Sequence, residues 1–183
     1  MIQTAQVTDV DYTREEMAQF VARFADQKGC DRALLDTRIS GFERDIFSLI
    51  GTGVQEDPDL SAPIEAEDFH VAIVRCEPGK GSAMHSHLTQ EVLMPLSGRW
   101  SIQWGPAGDK TVDLGPLDLI SVPIHVMRGF INVSDESAML LAIVGGHDPG
   151  RVGWPQSLKV QASEAGLEID DDGNLREIGL RAT

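Results

Sequence analysis

Between residues 69 and 144 apolar side chains recur with a period of two, in short runs divided by Gly, Pro, Asp or Ser. The runs 69–76, 92–96, 100–104, 111–114, 117–122, 127–133 and 138–144 read as strands, because alternate residues of an extended chain share one face. Short strands at such regular spacing predict an antiparallel sandwich or barrel. Before this block, Thr13-x-x-Glu16 forms a capping box, and Met17, Phe20, Val21 and Phe24 follow at i, i+3, i+4 and i+7. That spacing predicts an amphipathic helix closed by Gly29. Over 37–54 the pattern is mixed, and Ile46, Phe47, Leu49 and Ile50 suggest one or two short strands around Arg44. Residues 56–67 carry two prolines and many acids, which reads as a surface loop. After Gly145-Gly146, a turn at Asp148-Pro149-Gly150 leads to a helix near 155–165 and then a polar tail. With no internal repeat, the expected organisation is one globular domain. A helical arm with leading strands spans 1–68, a barrel 69–146, and a helical arm with a tail 147–183.

Within the barrel block, residues 79–98 read GKGSAMHSHLTQEVLMPLSG. His85 and His87 lie two residues apart, so a strand presents both imidazoles on one face, and Glu91 keeps the same parity. Two neutral imidazoles with one carboxylate suit Fe(II), Mn(II), Co(II), Ni(II) or Zn(II) and leave coordination positions open, as a site for chemistry requires.

The spacing of Gly79, His85, His87, Glu91 and Gly98 resembles the first motif of the cupin superfamily, and residues 115–133, with Pro123 and Asn132, resemble the second. The resemblance implies an all-β, cupin-like double-stranded β-helix, or jelly roll, with N- and C-terminal helical extensions. It also implies a divalent transition metal (Fe(II), Mn(II), Ni(II) or Zn(II)) on His85, His87 and Glu91, and a homodimer. Where the family places a fourth ligand histidine this chain has Arg128, with His125 three residues earlier. A guanidinium cannot ligate a cation, which leaves two arrangements. Arg128 either offers its fork to a substrate carboxylate or enolate beside a bound metal, or pairs with Glu91 where no metal is bound. His125, after Pro123 in a turn, is a substitute ligand or general acid or base, or else a rim histidine. His70 and His147 have no partner pattern.

Two functions follow from the resemblance. One is a metal-dependent small-molecule enzyme of the dioxygenase kind, with an anionic enol or carboxylate substrate oriented by Arg128. The other is a non-catalytic ligand-binding or storage protein that holds a small organic anion. Composition narrows the partners further. A net charge of −14 excludes nucleic acid and an anionic membrane surface, both of which would repel the protein. The longest apolar run, 138–144, falls far short of the roughly 18 residues of a membrane span. Cys30 and Cys76 have no ligand spacing and read as free thiols, and the N-terminus lacks a signal-type apolar stretch, so a cytoplasmic chain is expected.

Overall fold

A computed structural model describes residues 10–178; segments 1–9 and 179–183, which belong to the expected arms and include the first part of the stretch behind the signal-peptide reading, lie outside the described residues. The alternating runs become strands: β1 (Asp45–Ile50), β2 (Phe69–Cys76), β3 (Glu91–Pro95), β4 (Trp100–Trp104), β5 (Lys110–Leu114), β6 (Ile120–Val122), β7 (Arg128–Asn132) and β8 (Ala138–Gly145). They form a five-stranded sheet of order β1-β2-β8-β3-β6 and a three-stranded sheet of order β5-β4-β7. All of their ladders are antiparallel. The chain therefore has the expected double-stranded β-helix.

Period two puts Ala138, Leu140, Ala142 and Val144 of β8 on the inner face. The core joins Val74, Leu93, Leu140 and Ala142 of one sheet to Trp100, Ile102, Leu114 and Phe130 of the other, so the sheets pack face to face. Trp100 and Phe130 meet edge to face with centroids 5.8 Å apart. Each fully buried side chain such as Leu140 contributes on the order of 2 kcal/mol.

Both arms depart from their expected form. The capping box is present, with Glu16 N–H donating to Thr13 Oγ1 at 3.2 Å, but α1 spans only Arg14–Ala18. Met17, Phe20 and Val21 remain exposed, and Phe24, whose ring lies 4.8 Å from that of Phe47, sits in a separate 3₁₀ turn, so most of that face lacks the packing that would sustain further turns. At the other end α2 (Gln156–Glu164) forms where its pattern predicts, but the polar tail folds back as a hairpin of β9 (Leu167–Ile169) and β10 (Leu175–Glu177). Its turn holds because Asn174 N–H donates to Asp170 Oδ1 at 2.8 Å and Gly173 takes φ +80. Val152, Trp154, Leu158, Ala162 and Leu167 then pack with Leu35 and Ala83 in a second core beside the barrel. No helix among the described residues is long and apolar enough to cross a membrane.

Candidate metal centre and ligand cavity

The segment before β3 lies flush against β7, with bridges Gly81 to Ile131 and His85 to Arg128. A Cβ on Gly81 would meet the Phe130 carbonyl oxygen at 1.8 Å, so only glycine permits this approach. His85 and Arg128 exchange both backbone hydrogen bonds at 2.8 Å, which fixes the height of His85 on the inner wall. His85, His87 and Glu91 are all buried, and a ligand atom of each lies within 4.8 Å of the others. The imidazole centroids are 4.9 Å apart.

The donor set fits a cation. His85 Nδ1 lies 2.8 Å from the Ala83 carbonyl, which can only accept, so the ring proton sits on Nδ1 and Nε2 is left with its lone pair. His87 Nε2 is 3.8 Å from Glu91 Oε1. That distance is too long for a hydrogen bond, yet both atoms reach a shared ion at about 2.1 Å each. Burial, reinforced by Arg128, holds the His85 imidazole well below its ordinary range. Burial likewise lowers His87 to about 4 against the opposing pull of Glu91. Both rings are therefore neutral near pH 7, the state that ligates.

Arg128 is buried and donates from Nε to Glu91 Oε2 at 2.9 Å and from Nη1 to the Val126 carbonyl at 3.3 Å. Of the two arrangements open in the sequence, the structure shows the pair with Glu91, and Arg128 does not line the cavity above the cluster. His125 is exposed with φ 63, and its backbone N–H donates to the His87 carbonyl at 3.0 Å; its side chain does not line the cavity either. Asn132 satisfies backbone groups, donating to the carbonyls of Cys76 and Glu136 at 2.9 and 2.8 Å. His147 is exposed, with Nδ1 2.8 Å from the Glu67 carbonyl.

Three buried charged residues that carry no local sequence signal support the site. Asp36 binds Arg44 through both carboxylate oxygens at 2.8 and 2.9 Å and also accepts from Ala83 N–H at 2.9 Å. Ala83 is thus pinned at its N–H by Asp36 and at its carbonyl by His85. Glu56, expected at the start of a surface loop, is 3% exposed. It accepts from Leu35 N–H and from the Trp154 indole, both at 2.6 Å, and the Trp154 ring lies 5.6 Å from that of His85. Burial pushes the Glu56 carboxyl up to about 7 despite these two donors.

The cluster opens on a cavity lined by Leu34, Ile46, Val74, Phe130, Val144 and Val152 among others, and by Arg44, Gln55 and His70.

Residues 72–144 match the family model for the cupin domain. No curated protein sequence matches the chain. Among solved structures, the polyketide cyclase RemF from Streptomyces resistomycificus is similar with a TM-score of 0.55 and 19% identity, over 73% of this chain and 82% of that one. A cupin 2 conserved barrel domain protein from Rhodopseudomonas palustris gives a TM-score of 0.47 and 17% identity over 62% and 68%. A Klebsiella pneumoniae protein with a double-stranded β-helix domain gives 0.45 and 20% over 50% and 80%. At these identities the likeness is one of fold.

Proposed function

We propose, for a chain that belongs to the cupin superfamily through residues 72–144, that it is a metal-dependent enzyme acting on a small organic molecule. The observation that supports this reading most is the convergence of two neutral, buried imidazoles and one carboxylate within 4.8 Å at the end of an apolar cavity. His85, His87 and Glu91 hold a divalent transition metal, either Fe(II), Mn(II), Ni(II) or Zn(II). When bound, the metal supplies Lewis acidity and, as Fe(II), the capacity for dioxygenase-type chemistry at the coordination positions the protein leaves open. The chain's own residues supply the rest. Ala83 fixes the His85 tautomer, and Arg128 holds one oxygen of Glu91 so that the other faces His87. The cavity walls exclude water from the enol or carboxylate oxygen of the substrate. Arg128 acts on Glu91 rather than on substrate in this reading, and His125 stands at the rim.

A second reading, a non-catalytic cupin that stores or carries a small organic molecule, is favoured by one observation: the Arg128–Glu91 pair is also the arrangement that compensates the carboxylate without a cation. Elemental analysis of protein purified without chelator, beside His85→Ala, separates the two. The enzyme reading expects stoichiometric transition metal in the wild type and its loss in the variant. Wild-type protein that is metal-free and refuses Fe(II), Mn(II) and Ni(II) would sink it.

A further inference from the structure

Metal binding accounts for one side of the cavity and leaves its other polar residues unexplained. Arg44, Gln55 and His70 line the same cavity as the cluster, and each keeps a buried polar atom without a partner: Arg44 Nε, Gln55 Oε1 and His70 Nε2. A buried polar group left unpaired costs stability, so several in one cavity wall call for a ligand whose polar atoms meet them.

The hydrogen bonds around each residue define what it offers. Both η nitrogens of Arg44 are engaged by Asp36, which offsets the guanidinium charge, and its Nε–H has no partner. Gly53 N–H donates to His70 Nδ1 at 3.0 Å, so the neutral ring carries its proton on Nε2, a second donor. Gln55 uses its amide nitrogen on Ser48, which leaves Oε1 as an acceptor. The wall therefore presents two donors and one acceptor with no uncompensated cation, amid apolar neighbours such as Leu34, Ile46 and Val152. A carboxylate would gain little there, whereas a carbonyl and a hydroxyl match the set. All three residues also lie outside the stretch 72–144 that the family model matches.

We propose that Arg44, Gln55 and His70 form a metal-independent subsite that binds the uncharged carbonyl and hydroxyl oxygens of a largely apolar ligand. This deepens the enzyme reading by naming the substrate's body, and it rests on that reading for the substrate's role. The binding itself needs no metal.

Isothermal titration of chelator-treated wild-type protein with 6-hydroxy-1-tetralone, tetralin and 1-naphthoate tests it. The hydroxyketone should bind at least about tenfold more tightly than the hydrocarbon and than the carboxylate. Arg44→Lys keeps a cation for Asp36 but has no Nε–H, and Gln55→Leu removes the acceptor; each should cut the preference severalfold with melting temperature checked in parallel. Naphthoate binding as tightly as the hydroxyketone, or a preference that survives both substitutions, overturns the proposal. Should Arg44→Lys not fold, the wild-type probe series and Gln55→Leu decide it. Because these titrations use metal-free protein, their failure is distinct from failure to load metal.

Discussion

His85 and His87 resist protonation because burial strips water from the imidazolium, and Arg128 adds a like charge. The same guanidinium is the sole charged side chain bonded to Glu91 among the described residues. Arg128→Leu therefore leaves a buried carboxylate without its counterion and should destabilise metal-free protein by about 3 kcal/mol or more. Added Zn(II) or Mn(II) should raise the melting temperature of this variant more than that of wild type, since the cation then supplies the missing charge. Urea melts with chelator and with metal measure both effects, and equal metal stabilisation of the two proteins would speak against a cation at Glu91. The cluster was legible because its logic is local: parity along one extended segment puts His85, His87 and Glu91 on one face. Asp36, Arg44 and Glu56 were not legible as site residues. Their partners stand 47, 37 and 98 residues away in the chain, at Ala83, Gly81 and Trp154, where no periodicity announces them. The partner of Arg128 could be narrowed from sequence to substrate or Glu91, and the folded chain sets its Nε on Glu91 Oε2.

Among the elements, the strands were the most readable, since each needs only alternation and a turn, and six of the expected runs fall within one or two residues of β2, β3, β4, β5, β7 and β8. Helical spacing alone was a poorer guide at Met17–Phe24, because a short amphipathic helix depends on a surface to pack against, and of its four apolar residues Met17, Phe20 and Val21 stay exposed while Phe24 meets Phe47. The hairpin of β9 and β10 was missed because its apolar content is slight, and its stability comes from the second core and the Asp170 turn. Glu56 fastens these elements to the leading segment, bonding Leu35 on one side and Trp154 on the other. Its carboxyl titrates near 7 when folded and near 4.5 when unfolded, so its contribution is fully present below about 4.5 and is lost as pH rises to about 7. Wild type should lose about 3 kcal/mol relative to Glu56→Gln across that window, measured by denaturant melts at a series of pH values. The two histidines act with the opposite sign, destabilising the fold as pH falls below about 6.5, and the comparison with Glu56→Gln cancels them. A pH-independent difference between the two proteins would mean that Glu56 is ionised throughout.

At the scale of the whole molecule, the charge of −14 keeps copies apart in general, so any self-association needs a specific apolar contact. Tyr12, Met17, Phe20 and Val21 are exposed together near α1, and we propose that a homodimer covers them. Sedimentation velocity should show a dimer for wild type and a monomer for Phe20→Glu with Val21→Glu; a dimer that persists in the variant would place the contact elsewhere.

The strip that carries Trp154 is joined edge to edge with the strip that carries His85 and His87, through the paired backbone bonds of Ser86 and Gly153. The border drawn by family likeness at residue 144 consequently cuts across the cavity, which Val152 also lines, instead of enclosing it. A chimera that kept residues 1–145 but took the remainder from another protein of this fold would inherit a foreign neighbour beside His85 in place of Trp154, so the cavity of this chain is not portable with its barrel.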